Sequence, residues 1–98
     1  MTTKRLRTVD RYAQLLAMGV RLAADEGFDS ITQRRLGYEC GIAGPAVQYH
    51  VKDMEGFRRD VLAEAKRAQN LRALGRAVAA GYLVEEPLRS EGLRAVFG

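Results

Sequence analysis

A single cysteine, Cys40, and a single histidine, His50, narrow the chemistry open to this chain. One thiol cannot close an intramolecular disulfide, which fits a reducing cytoplasm. One thiol and one imidazole fall short of a structural zinc ligand set. They also leave no Ser/His/Asp or Cys/His pattern to read as catalytic machinery, and no Gly-rich loop of P-loop form occurs. The neighbouring carboxylates Glu85 and Glu86 read as surface charge. No apolar run approaches the roughly 20 residues that span a bilayer. The basic start, "MTTKRLRTVDRYAQ", is not followed by the hydrophobic stretch of a secretory signal. Repeats and low-complexity segments are absent. The expectation is a cytoplasmic protein that is not an enzyme and has no cofactor, metal site or membrane partner.

What is present is an ordinary globular mixture, 47% hydrophobic and 29% charged, in 98 residues. That length fits one domain with a modest core. Lys and Arg number 16 against 12 Asp and Glu, a net charge of +4 with a pI near 9.6. The excess of positive charge favours a polyanionic partner.

Residues 1–8 read as a basic arm carrying Lys4, Arg5 and Arg7, either a solvated terminus or a tail that touches phosphate or a minor groove. Asp10–Glu26 has helical spacing in Tyr12, Leu15, Leu16, Gly19, Leu22 and Ala23. Asp10 and Thr8 compete as its N-cap. Gly27 stops this helix, and Phe28 folds back onto its apolar stripe. Thr32 caps a second helix, Gln33–Cys40, with Leu36 and Cys40 as an inward pair. Gly41 ends it. A short third helix begins near Gly44–Pro45, where a proline costs no hydrogen bond, and ends around Val51 or Lys52.

Asp53 caps a fourth helix whose inner face is Phe57, Val61, Leu62 and Ala65. The pattern continues through Ala68, Leu71, Leu74 and Val78, with Asn70 and Gly75 marking a bend or break that the spacing does not place. The tail has two readings. One is a helix starting near Pro87, which the sequence slightly favours. The other is a β-hairpin of "YLVEE" and "LRAVF" around a turn at Ser90–Gly92. Gly92 argues against the helix and Pro87 against the hairpin. The fold class expected is all-α, a small helical bundle. Its divisions are a basic arm (1–8), a DNA-binding domain (9–65) and a C-terminal dimerisation segment (66–98).

The third helix is nearly bare of apolar anchors. Val47 and Val51, four apart, are its only obvious ones. Two short helices joined by a glycine turn and braced by a longer one form a helix-turn-helix pattern, in which a helix lying in a major groove needs few anchors. Gly44, Pro45, Ala46, Gln48, Tyr49 and His50 are left for the groove and its walls.

With those residues in view, positions 15–62 resemble the DNA-binding module of the tetracycline-repressor (TetR) family of bacterial transcription regulators. "LLAMGVRLAADEGFDSIT" resembles the family's first helix and its "GF" ending. "RLGYECGIAGPAVQYHVKDMEGFRRDVL" resembles its second, recognition and fourth helices. Gly41, Pro45, His50, Val51 and Lys52 match at their spacings. The departures are Ala43, where a capping Ser or Thr is usual (~1 kcal/mol of stabilisation), Gln48, where the family usually has Tyr, and Met54 in place of a first-turn lysine. Family members also carry a long helical regulatory domain, whereas about 35 residues follow Leu62 here. That is too few to enclose a drug-sized pocket, so the expectation is a compact repressor without an inducer site, of the kind plasmids and phages could use. It is expected to act as a homodimer on double-stranded DNA, with no small-molecule ligand.

Within that frame Gln48 reads as an adenine contact or as a solvated side chain. Tyr49 reads as a phosphate or thymine-methyl contact or as a packing ring, and His50 as a phosphate donor or a cap of the helix end. Thr32, Gln33, Arg34, Arg35 and Lys52 read as phosphate contacts, and Arg58 and Arg59 as solvated charges. Cys40 reads as a small buried hydrophobe rather than a redox sensor. Leu71, Leu74, Val78 and Tyr82 form a stripe assigned to dimerisation. Three competitors remain: a protein-interaction module, a winged helix whose wing is the terminal hairpin, and an architectural DNA-binding protein.

Overall fold

A computed structural model describes residues 8–98; the expected arm cations Lys4, Arg5 and Arg7 lie outside the described residues. The protein is an all-helical bundle. Its elements are α1 (Thr8–Glu26), a 3-10 turn (Phe28–Ser30), α2 (Gln33–Cys40), α3 (Gly44–His50), α4 (Met54–Arg67), α5 (Leu71–Ala79) and α6 (Leu88–Phe97). No strand occurs among the described residues, so the terminal hairpin and a wing built from it are overturned.

The long helix α1 is the spine. It buries Leu15, Gly19, Val20, Leu22, Ala23 and Ala24, and its N-terminus reaches at least to Thr8, which puts Asp10 inside the first turn. Thr32 caps α2 by accepting the Arg35 amide at 3.0 Å, and Asp53 caps α4 by accepting the Glu55 amide at 3.2 Å. The inner face of α4 is Phe57, Val61, Leu62 and Ala65, as the spacing predicts. Tyr12 ties α1 to α4. Its ring meets Phe57 edge-on with centroids 5.8 Å apart, and its hydroxyl donates to Asp60. Burial and then the carboxylate of Asp60 push the Tyr12 phenol up to about 12.

The break after α4 falls at Ala68–Asn70. Gln69 takes a left-handed conformation at φ 52, and Asn70 both donates back to the Ala65 carbonyl and caps α5. This is a Schellman ending with glutamine in the position usually held by glycine. Gly75, the other break signal, lies inside α5. A Cβ on Gly75 would sit 2.2 Å from the Gly92 carbonyl oxygen, so α5 and α6 pass backbone against backbone. Gly92 belongs to the helix for the same reason: a side chain there would strike α5.

The stripe assigned to dimerisation also takes part in packing within the chain. Leu74 is 0% exposed inside the chain's own core, and Leu71, Val78 and Tyr82 pack half-buried against that core. The Tyr82 ring lies 5.0 Å from Phe28, and its hydroxyl donates to Glu55 at 3.0 Å. Helices α1 and α6 pack against α5 within the chain. Among the described residues no helix is long and apolar enough to cross a membrane, and no cluster of metal-ligating side chains forms.

Candidate nucleic-acid interface

The link between α2 and α3 is three residues long. Gly41 adopts φ 67 and ψ 37, the left-handed region that glycine enters without steric cost. The Ile42 amide then closes onto the Gly37 carbonyl at 2.9 Å, and Ala43 starts α3 with no side-chain cap. Val47 and Val51 are the inward anchors, 0% and 2% exposed. Gly44, Pro45, Ala46, Gln48 and Tyr49 are exposed and His50 is half-buried. Of its seven residues α3 buries one, Val47.

The residues assigned to phosphate divide into two groups. Arg34 and Lys52 are exposed. Thr32 is exposed, but its hydroxyl is engaged as the α2 cap. The other two make tertiary contacts. Gln33 donates to the Val51 carbonyl at 2.9 Å and so locks the end of α3 to the start of α2. Arg35 donates to both carboxylate oxygens of Glu26, at 2.8 and 2.5 Å, and to Glu39 at 3.0 Å. Those carboxylates raise the Arg35 guanidinium further, and Arg35 in turn lowers Glu26. Arg35 thus joins the end of α1 to α2 with its charge already met.

Arg58, read as a solvated charge, donates instead to the Ile31 carbonyl at 2.9 Å and holds α4 against the segment before α2. Cys40 is half-buried, and burial pushes its thiol up, away from the reactive thiolate.

Two open grooves border α3. One, about 430 Å³, lies between α2 and the start of α3 and is lined by Gln33, Arg34, Gly37, Tyr38, Ile42, Gly44, Pro45 and Gln48. The other, also about 430 Å³, lies between the start of α1 and the end of α3 and is lined by Thr8, Val9, Tyr12, Tyr49, His50 and Lys52. In the second groove Tyr49 meets His50 edge-on at 5.0 Å, and the Lys52 ammonium stands 5.9 Å from the Tyr49 ring centre. Tyr38, to which the sequence assigned no role, is 82% exposed on the rim of the first groove. With Leu36 and Cys40 as the inward pair, helical spacing places Tyr38 on the outer side of α2, but nothing in the sequence gave it a role.

Compared with models of protein families, with curated proteins and with solved structures, the chain has no match.

Proposed function

We propose that the protein is a sequence-specific DNA-binding transcriptional regulator of the TetR type, a repressor that reads double-stranded DNA through α3. The observation that carries the reading is the outward face of α3. Gly44, Pro45, Ala46, Gln48 and Tyr49 are exposed in a row beside the exposed cations Arg34 and Lys52. The small residues at the start of α3 permit close backbone approach, Gln48 offers a donor and an acceptor together, and the cations suit phosphate. One such helix reads only a few base pairs, so useful specificity calls for a homodimer on two half-sites.

Selection of bound duplexes from a random-sequence pool tests the reading. An inverted repeat is the expected result, with sedimentation at twice the chain mass. Recovery of no preferred sequence would leave an architectural role, and the lack of any salt-dependent affinity would leave a protein-interaction module.

A further inference from the structure

The four tyrosines divide into two kinds. Tyr12 and Tyr82 pack their rings on phenylalanines and donate their hydroxyls to carboxylates. Tyr38 and Tyr49 turn outward, 82% and 64% exposed. Neither outward hydroxyl has a hydrogen-bond partner among the described residues, and neither does the Arg34 guanidinium. An exposed tyrosine ring forfeits the burial that usually justifies its size, so two of them beside one short helix need an account.

Their positions supply it. Residues of an α-helix follow one another at about 100° around the axis. With Val47 and Val51 pointing inward, Gly44 and Gln48 fall to one side of α3 and His50 to the other. Gly44 and Gln48 line the first groove and His50 lines the second. Helix α3 is therefore a ridge between two troughs. Each trough carries one outward tyrosine and one exposed cation, Tyr38 with Arg34 and Tyr49 with Lys52. Arg34 and Tyr38 are one turn apart on α2, which puts them on the same face of that helix.

We infer that the two troughs seat the two sugar-phosphate strands that border one major groove, and that Tyr38 is a phosphate-contacting residue of the DNA interface. The inference rests on the reading that α3 enters DNA. A major groove is about 12 Å wide and walled by one backbone on each side. A ridge that enters it brings both walls against whatever flanks the ridge. In the first trough Arg34 supplies the charge and the Tyr38 hydroxyl donates a hydrogen bond to a phosphate oxygen of the same strand. In the second, Lys52 and the Tyr49 hydroxyl do the same for the opposite strand. The hydroxyls fix register without adding charge, and the cations supply the salt-dependent part of the affinity.

The test compares Tyr38→Phe, Tyr38→Ala and Arg34→Ala in the full chain, on a duplex selected from the random pool and on an unrelated duplex of equal length. Tyr38→Phe removes the hydroxyl alone, and at so exposed a position its melting temperature is expected to match the parent protein's. Its affinity should fall about 3- to 10-fold on both duplexes, with an unchanged slope of log affinity against log salt. Arg34→Ala should weaken both and flatten that slope by about one. Phosphate-ethylation interference on the selected duplex should show interfering clusters on both strands of each half-site, with Tyr38→Phe losing those on one strand within each half-site.

If both Tyr38 variants bind like the parent while Arg34→Ala is weakened, the role of Tyr38 is refuted and the DNA reading stands. A loss confined to the selected duplex would make Tyr38 a base contact and refute the phosphate role. If the parent protein has no salt-dependent affinity for DNA, both fall together.

Discussion

Arg35 holds both carboxylate oxygens of Glu26, nine residues earlier in the chain and on a different helix, while its neighbour Arg34 faces solvent. Two adjacent arginines on one short helix therefore do different work. If the chain binds DNA as proposed, a guanidinium already paired with two carboxylates releases few counterions on binding, because its charge is met within the protein. The expected outcome is a clear asymmetry in the salt dependence of DNA binding. Arg34→Ala should reduce the slope of log affinity against log salt by about one, and Arg35→Ala should leave it near the parent value. Equal slope changes for the two variants would contradict the assignment.

The join between α1 and α4 should be visible at alkaline pH. Tyr12 has its phenol raised from the ordinary value of 10.0 to about 12 by burial and by its bond to Asp60. The folded state thus keeps the proton at pH values where the unfolded chain has lost it. The resulting stabilisation is complete below about pH 10 and is lost as pH rises toward about 12. Tyr82, raised in the same direction by burial and by Glu55, adds to the effect. Melting temperature measured across that window should fall with pH. Tyr12→Phe, which has no proton to lose, should be less stable at neutral pH and show a shallower alkaline decline. An identical alkaline limb in the two proteins would remove Tyr12 as its cause.

The crossing of α5 and α6 gives a prediction in which two effects oppose each other. Gly75→Ala would gain about 1 kcal/mol of helix propensity. Its new Cβ, however, would stand 2.2 Å from the Gly92 carbonyl oxygen, a backbone atom with no side-chain torsion through which to swing away. Overpacking of this kind costs about 1–3 kcal/mol, and the helices must separate to relieve it. A net loss of stability in chemical denaturation is the expected result. Because the contact lies away from α3, the folded fraction should bind DNA as the parent does. A variant as stable as the parent would mean that the two helices can move apart at no cost.

The contrast between these regions explains what the sequence revealed. The segment from Thr32 to Asp53 was legible because its signals are local: a threonine and an aspartate at caps, a glycine in the left-handed region, a proline in a first turn. The break between α4 and α5 was signalled by Asn70, which caps α5, but was not placed, because Gln69 occupies the left-handed position and glutamine carries no turn signal. Gly75 and Gly92 resemble breakers in the sequence and are contacts in the fold, since each makes room for the other's helix. Leu74 looked available to a second copy because the pattern of α5 cannot tell which helix covers it. Arg35 lies within the legible segment, yet its state depends on Glu26, a tertiary fact. For the proposed interface, the helix was proposed from the sequence, and the structure shows which of its neighbouring side chains are exposed and which are engaged within the fold.

The last expectation concerns specificity. Gln48 is exposed on α3 beside the first groove, one helical turn from Gly44. Its amide offers a paired donor and acceptor that match the N6 and N7 edge of adenine, and a good bidentate pair discriminates by about 1–3 kcal/mol. Truncation to alanine removes both groups without disturbing the inward anchors Val47 and Val51. Gln48→Ala should therefore lose affinity for the selected duplex and keep its affinity for unrelated DNA. A repeat of the selection with the variant should lose its preference at one position in each half-site. The proposed phosphate contacts make the opposite prediction, since Arg34→Ala should weaken every sequence alike. If Gln48→Ala weakens selected and unrelated DNA by the same factor, the amide touches backbone rather than base. Sequence reading would then have to come from elsewhere on α3, from Tyr49 or from the small residues Gly44–Ala46.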